Sequence, residues 1–263
     1  MENRDVIVNI KKDYFTSKCF GREIYISNII VDERQFRDIS EITRTTIKKL
    51  QNLKNSLYVT CKHNLSDIPV IHGLEGAGFK LMSVNVKFRI KPDAVPKKNA
   101  YDIDTEIMIE QYSDKHLNRF YSLIKNVPQF FDETQYYNSP YLDKKLCDSF
   151  YRMWILTDIK GRSDRNYLAI YENRIVGFIL CIERDNESTI DLMWVDKNMR
   201  GRGIGKLMIH RLFNDVRNRV VRVTTQMTNS NAINFYIKTG FEIENIYAVY
   251  HKYGDIGHNT VHS

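Results

Sequence analysis

The stretch MRGRGIGKLMIHRLF, residues 199–213, constrains this chain most, because it places three glycines within five residues directly before an apolar helical pattern. Glycine lowers helix stability, so its repetition at a predicted helix start indicates a turn that needs unusual backbone angles or close approach by another group. The preceding segment TIDLMWV, residues 189–195, is typical of a strand. The order strand, glycine turn, helix predicts an α/β (α+β) fold.

The spacing of the glycines distinguishes between three kinds of phosphate-binding loop. A P-loop needs GxxxxGK[ST], but Gly201 lies only four residues before Gly205 and Leu207 follows the lysine. A dinucleotide fold needs GxGxxG, and Gly201, Gly203 and Gly205 miss the third glycine by one position. The remaining pattern, R-x-x-G-x-G over residues 200–205, predicts a pyrophosphate cradle at a helix N-terminus. A plain glycine-rich turn is the alternative.

Proline and polar residues divide the chain into two parts. The segment KPDAVPKKNAYDID, residues 91–104, is typical of a linker. We therefore predict an N-terminal α/β domain over residues 1–95, a linker over 96–104, a catalytic domain over 105–253 and a flexible tail over 254–263. Residues 63–88 also resemble residues 228–252 in the order helix, Gly-Phe, strand, which indicates a weak internal repeat or a chance likeness of two common units.

Composition and charge limit the classes of ligand and partner that the chain is expected to bind. The 263 residues carry a net charge of +7 with a pI near 9.1, which favours anionic ligands. Because the 39 cationic residues are spread along the chain, we do not expect nucleic acid as a partner. We expect no membrane span and, from an N-terminus without an apolar signal core, a cytoplasmic protein. Four dispersed cysteines predict reduced thiols and no metal.

The strand, RGRGIG, helix and strand, followed by NxxAxxxYxxxGF, together resemble the GNAT superfamily of acetyl-CoA-dependent acyltransferases over residues 105–253. The resemblance implies a mixed central sheet with a splayed V between two strands, flanking helices and a smaller degenerate half-GNAT-like domain before it. It also implies acetyl-CoA as cosubstrate and no metal. The family's frequent proline is replaced here by Lys197.

Specific residues follow from this resemblance. Tyr236 would donate a proton to the leaving sulfur as general acid, although an ordinary core tyrosine is the alternative. Asn229 would contact the cofactor, act as a helix N-cap, or do both. The proton acceptor for the amine stays open between Asp191, His210 and water. The implied cofactor-binding residues are Met193, Trp194, Val195, Arg200, Gly201, Arg202, Gly203, Ile204, Gly205, Lys206 and Asn229.

The segment TQYYNSPYLDKKLCDSFYRMWI, residues 134–155, is similar to the TDP-fucosamine acetyltransferase group. That resemblance implies acetylation of a nucleotide-linked amino sugar, most closely a TDP-4-amino-4,6-dideoxyhexose, for surface polysaccharide synthesis. Tyr136, Tyr137 and Trp154 would then line the substrate site, or they pack within helices and loops. The alternatives are a GNAT enzyme of protein N-termini, polyamines or antibiotics, and a non-catalytic CoA-binding protein. The edge of a terminal strand leaves a homodimer open.

Overall fold

The computed structural model describes residues 6–31, 38–53, 57–92, 106–125, 134–216 and 218–254. Within these residues, ten strands form one mixed sheet. The strands are β1 (Val6–Lys12), β2 (Ile24–Val31), β3 (Leu57–Asn64), β4 (Lys80–Ile90), β5 (Met108–Gln111), β6 (Arg165–Tyr171), β7 (Arg174–Arg184), β8 (Glu187–Val195), β9 (Val220–Gln226) and β10 (Glu242–Gly254). The helices are α1 (Tyr14–Phe20), α2 (Ile39–Gln51), α3 (Ile68–Gly76), α4 (Leu117–Ile124), α5 (Gln135–Asn138), α6 (Lys144–Thr157), α7 (Ile204–Asp215) and α8 (Ser230–Lys238). The mixed sheet with flanking helices confirms the predicted fold class.

The strand order is β1-β2-β3-β10-β4-β9-β8-β7-β6-β5. Two neighbouring pairs, β2 with β3 and β8 with β9, are parallel, and the other ladders are antiparallel. Because β10 separates β3 from β4, the last of the described strands lies inside the N-terminal part of the sheet. Strand β4 in turn lies between β10 and β9, so strands from both parts of the chain alternate.

A five-element unit occurs twice in this topology. The order β2-α2-β3-α3-β4 corresponds to β8-α7-β9-α8-β10, with a parallel pair at the start of each unit. In each unit the last strand pairs with the middle strand of the other unit, over eight positions for β10 with β3 and six for β4 with β9. The domain boundaries stay a prediction, because both units share one sheet. The predicted linker, 96–104, and residues 255–263 of the tail lie outside the described residues.

Apolar side chains cover both faces of the sheet. One face packs against α7 and α8 around Phe88 and Met208, and farther along against α2 and α3 around Leu74. The opposite face packs against α1, α4 and α6 around Phe120 and Phe150. No helix in the described part of the chain is long and apolar enough to cross a membrane. Helices therefore cover the sheet on both faces.

Two turns of the fold contain residues with positive φ. Glu172 and Asn173 have φ of 44° and 60°, which closes a tight hairpin between β6 and β7. Gly240 follows α8 with φ of 92°, the left-handed geometry of a helix C-terminus. Glycine and asparagine adopt positive φ at low cost, whereas Glu172 adopts it as the first of the two loop residues of the hairpin.

A buried polar group joins the two repeated units. The hydroxyl of Tyr58 on β3 lies 2.5 Å from Nδ1 of His251 on β10 and 2.9 Å from Oγ of Ser139. Tyr58 and His251 are fully buried. Burial lowers the pKa of His251 to about 3, because its environment disfavours the charged imidazole.

This depressed pKa predicts a specific acid sensitivity. Unfolded chain binds a proton at His251 below pH about 6.5, whereas folded chain does so only near pH 3, so stability falls as pH drops through that interval. His251→Asn retains a polar atom for Tyr58 but does not titrate. We expect the variant to have a lower free energy of unfolding than wild type at pH 7.5, and we expect this difference to become smaller at pH 4. Urea unfolding across this pH range checks the result. A stability difference that does not change with pH would contradict the assignment.

Candidate active site

Strands β8 and β9 separate in the middle of the sheet. They pair only from Glu187 to Ile190, whereas β8 continues along β7 to Val195 and β9 continues along β4 to Gln226. The register between β7 and β8 shifts at Asp191, which has no partner on β7. A bulge of this kind turns a strand away from its neighbour. The described strands therefore leave an opening between residues 192–195 and residues 224–226, which we call the β8–β9 split.

The glycine turn follows the split directly. Asp196 accepts a hydrogen bond from the amide of Asn198 at 2.9 Å, and the Arg200 side chain donates to the carbonyl of Val195 at 3.2 Å. Gly201 and Gly203 have φ of 86° and 77°, which side chains with a Cβ rarely adopt. This geometry confirms that the turn needs glycine at these two positions.

The N-terminus of α7 fits an anionic group. Gly203 is its N-cap and has no side chain to accept the amides of the first turn. A Cβ on Gly201 would meet no atom within 4 Å, so the space beside it is open. Arg200, Gly201 and Arg202 are exposed here. Helix amides, positive charge and open backbone fit the pyrophosphate of a nucleotide cofactor such as CoA.

Gly205 has a different reason for being glycine than the one predicted. A Cβ there would lie 2.9 Å from the ring of Phe235 on α8 and 3.3 Å from the side-chain methyl of Met193. Gly205 therefore permits α7, α8 and β8 to approach one another, and a contact between its backbone amide and a diphosphate stays a prediction. Its amide still lies in the first turn of α7.

Tyr236 on α8 lies at the split. Its hydroxyl donates to Sδ of Met193 on β8 at 3.9 Å, and its ring packs against Phe88, Phe235 and Phe241. The side chain is buried, and burial raises the pKa of Tyr236 well above the ordinary value, followed by a smaller effect of Cys181. The phenol therefore stays protonated at neutral pH. Tyr236 is therefore a core residue whose hydroxyl donates a hydrogen bond at the split, and its role as general acid stays a prediction.

Asn229 is the N-cap of α8. Its side-chain oxygen accepts the amide of Ala232 at 3.0 Å. The N-cap alternative for Asn229 is thus confirmed, and a contact with the cofactor stays a prediction.

The sequence model of the family described as "Acetyltransferase (GNAT) family" matches residues 126–241, which include the split, the glycine turn and Tyr236. The chain contains a GNAT acetyltransferase domain. No group of three or more His, Cys, Asp or Glu side chains within the described residues of the protein could hold a metal ion.

Other proteins are similar in sequence over less than half of the chain or in structure over the whole fold. The chain is 27% identical over 124 residues to the spore coat polysaccharide biosynthesis protein SpsD of Bacillus subtilis, covering 46% of this chain and 43% of SpsD. It is 28% identical over 123 residues to an uncharacterized N-acetyltransferase of Methanocaldococcus jannaschii, covering 43% of this chain and 53% of the relative. The chain thus spans about half the length of these curated relatives. A GCN5-related N-acetyltransferase from Sphaerobacter thermophilus matches 96% of this chain and 77% of its own, with a TM-score of 0.65 and 16% identity, which shows the shared fold.

A charged cluster lies on the α6 side of the split in the GNAT domain. Asp191, the bulge residue, accepts Nε1 of Trp154 at 2.6 Å and also pairs with Arg162. Arg162 in turn pairs with Asp158, which is fully buried and has one carboxylate oxygen without a partner among the described residues. Burial, and then the charge of Asp191, raise the pKa of Asp158 to about 8. The Asp158 carboxyl therefore holds a proton at neutral pH, beside the ion pair of Arg162 with Asp191.

Sequence reasoning missed Asp158 and Arg162. Their spacing of four residues is a helical ion-pair signal, but it does not reveal that a bulge in a distant strand supplies a second carboxylate. Of the predicted substrate residues, Trp154 reaches this cluster, and its ring stacks on Tyr151 at 6.0 Å. Arg162 also lies 5.5 Å from the Trp154 ring centre.

Tyr136 and Tyr137 have packing roles. Tyr136 is buried among Phe20, Phe150 and His251, so we leave it out of the proposed acceptor site. Tyr137 is also buried and stacks on Tyr151 at 5.7 Å. The packing alternative explains both positions, whereas Trp154 stays a proposed substrate contact.

Proposed function

We propose that this protein transfers an acetyl group from acetyl-CoA to a primary amine in the β8–β9 split. The observation that carries this proposal is the separation of β8 from β9 beside Tyr236, with the uncapped glycine N-terminus of α7 following directly. Gly201, Gly203 and the first amides of α7 would hold the pyrophosphate, and residues 193–195 would line the pantetheine arm. Acetyl-CoA, when bound, supplies a thioester carbonyl and a thiolate leaving group.

The residues around the split have complementary roles in this reaction. The amine nitrogen forms a bond to the carbonyl carbon as the carbon–sulfur bond breaks, and the sulfur takes that electron pair. Tyr236 donates its hydroxyl proton toward the sulfur. Backbone amides near Trp194 and Val195 polarise the carbonyl oxygen. Asp191 takes the proton that the amine loses, with Asp158 and Arg162 positioning it.

We propose a nucleotide-linked amino sugar as the acceptor, in particular a TDP-4-amino-4,6-dideoxyhexose. Two likenesses support this choice: the segment 134–155 is similar to the TDP-fucosamine group, and SpsD is named for spore coat polysaccharide biosynthesis. Trp154 beside Asp191 supplies an indole face at the acceptor side of the split. The high pI agrees with two diphosphate ligands.

Release of CoA, followed with a thiol reagent, tests the proposal. The wild-type protein receives acetyl-CoA and, in separate reactions, TDP- and UDP-linked amino sugars, polyamines and peptides. We expect turnover on a TDP-linked amino sugar. Turnover only on a polyamine or peptide would contradict the acceptor while retaining acetyl transfer, and no turnover on any amine would contradict the enzymatic function.

The proton acceptor has its own prediction. We expect Asp191→Asn to lower kcat by about 10-fold, because an amide cannot take the proton and water then replaces it less efficiently. Asp164→Asn is the matched control, since Asp164 forms a more exposed ion pair with Arg184. Steady-state kinetics at pH 7.5 measure both variants. Equal kcat values for Asp191→Asn and wild type would remove Asp191 from the reaction.

A further inference from the structure

A polar row crosses the sheet beside the β8–β9 split. Asn64 on β3 lies opposite Tyr247 on β10, Tyr247 lies opposite Asn85 on β4, and Asn85 lies opposite Gln226 at the end of β9. All four side chains are partly exposed. Because directly opposed residues on neighbouring strands share a face, the four form one continuous surface, which we call the β3–β9 row.

The β3–β9 row lies on the α6 side of the sheet, the side that holds Trp154 and Asp191. Val86, the neighbour of Asn85 in the chain, belongs to the core beneath α7 and α8, and successive residues of a strand point to opposite faces. The row is therefore on the acceptor side of the split. Three strand spacings separate β9 from β3, a length of roughly 14 Å.

Lys62 contributes an unbalanced positive charge to this row. It lies two residues before Asn64 on the same face of β3, and its ammonium is 4.4 Å from the centre of the Tyr247 ring. Over the described ranges of the chain, no carboxylate forms an ion pair with Lys62. The side chain of Lys62 keeps an exposed part, but the surrounding protein removes water from around it. This desolvation, and then the positive charge of Lys87, lowers the pKa of Lys62.

Glu244 on β10, a carboxylate close to the row, already has cationic partners. Glu244 accepts Nε and Nη2 of Arg222 at 2.9–3.0 Å and also Nζ of Lys87 at 2.9 Å. These donors, Arg222 first, lower the pKa of Glu244 to about 2. Glu244 is thus shared by three cations, since Arg89 also lies 3.9 Å from it, and the positive charge at Lys62 stays available to an external anion.

We propose that the β3–β9 row binds the anionic part of the acceptor, a sugar nucleoside diphosphate, with Lys62 contacting the diphosphate and Tyr247 supplying a ring face. This inference rests on the proposed function and assigns part of the acceptor site to the N-terminal repeated unit, through β3 and β4. The amides of Asn64, Asn85 and Gln226 supply donors and acceptors for sugar hydroxyl groups along the path to the split.

Titration of the protein with TDP by calorimetry tests the inference. CoA is present in excess throughout, so that the pyrophosphate site at α7 is filled. We expect TDP to bind, and Lys62→Gln to weaken binding by about 10-fold or more, because a charge-assisted contact is lost. Lys62→Arg retains the charge and should recover most of the affinity. Lys11→Gln, which removes an exposed strand lysine on β1, is the matched control and should bind as wild type.

Parallel titrations with thymidine and with inorganic pyrophosphate identify the recognised chemistry. Weaker binding of both than of TDP is expected if the row recognises a nucleoside diphosphate as a unit. Equal binding of TDP to wild type and Lys62→Gln, or failure of TDP to bind once CoA is present, would overturn the inference.

Failure of the Lys62 site can be distinguished experimentally from failure of the proposed function. If an amino sugar is acetylated with the same KM by wild type and Lys62→Gln, the proposed function stands and the Lys62 site is wrong. If TDP binding depends on Lys62 but no amino sugar is acetylated, the anion site stands and the proposed function fails.

Discussion

Tyr236→Phe should lower kcat by about 100-fold while the Kd for acetyl-CoA changes by no more than about twofold. The substitution removes only the hydroxyl that lies 3.9 Å from Met193 at the split, and it retains the ring that packs against Phe88 and Phe241. The departing sulfur then lacks its proton donor, whereas the surfaces that hold the cofactor are intact. Steady-state kinetics and calorimetry measure the two quantities separately.

The matched control for this variant is Tyr250→Phe. Tyr250 is also buried with a raised pKa, but its hydroxyl bonds to Glu75, away from the split. We expect Tyr250→Phe to retain wild-type kcat. Because burial raises the pKa of Tyr236, we also expect no loss of kcat from its ionisation up to about pH 10. A wild-type kcat for Tyr236→Phe would contradict the general-acid role.

Gly203→Val should weaken acetyl-CoA binding by about 100-fold. Gly203 has φ of 77° at the N-cap of α7, where a β-branched side chain is strained and would project beside the amides of the first turn. The expected loss corresponds to about two charge-assisted hydrogen bonds between backbone amides and the pyrophosphate. Calorimetric titration with acetyl-CoA measures it.

Backbone strain alone must be separated from loss of the binding site. Gly21→Val provides this control, because Gly21 follows α1 with φ of 62° and has no atom within 4 Å of a built Cβ. Both variants should lose about 1–2 kcal/mol of stability from the left-handed backbone, but only Gly203→Val should lose cofactor affinity. Unchanged affinity in Gly203→Val, or an equal loss in Gly21→Val, would exclude the cradle.

Local features of this fold could be predicted from the sequence because their causes are local. The positive φ of Gly201, Gly203 and Gly240 follows from residue type and position, and the tight turn at Glu172 and Asn173 follows from two flanking strand patterns. The order of strands in the sheet has no local cause. The insertion of β10 between β3 and β4 depends on pairing between residues separated by more than 150 positions, which periodicity cannot reveal.

In the candidate site too, local features could be predicted from the sequence, whereas contacts between distant residues could not. The sequence motif identified Tyr236 and the glycine turn, but it could not reveal that the ring of Phe235 on another helix leaves no room for a side chain at Gly205. Asp158 and Asp191 meet only because a bulge reorients β8. Lys62 carries no motif, and its isolation from carboxylates becomes visible only once β3 and β10 are paired.

The two repeated units use glycine for one common purpose and otherwise differ. A Cβ on Gly73 of α3 would lie 2.4 Å from Ile42 of α2, as a Cβ on Gly205 would contact Phe235, so one helix pair in each unit packs closely through a glycine. In the first unit the fully buried Leu74 lies four residues before Gly78, the position that Tyr236 has before Gly240 in the second unit. The catalytic chemistry is therefore proposed for the second unit alone, and the first contributes strands β3 and β4 to the acceptor face.

Hydrogen–deuterium exchange with and without acetyl-CoA tests the location of the cofactor most directly. We predict slower exchange at residues 192–195 and 203–207 when acetyl-CoA is present, with unchanged exchange over 24–31 and 39–45, the corresponding elements of the first unit. Protection of those N-terminal elements, or no protection in the split and the first turn of α7, would contradict the β8–β9 split as the site of acetyl transfer.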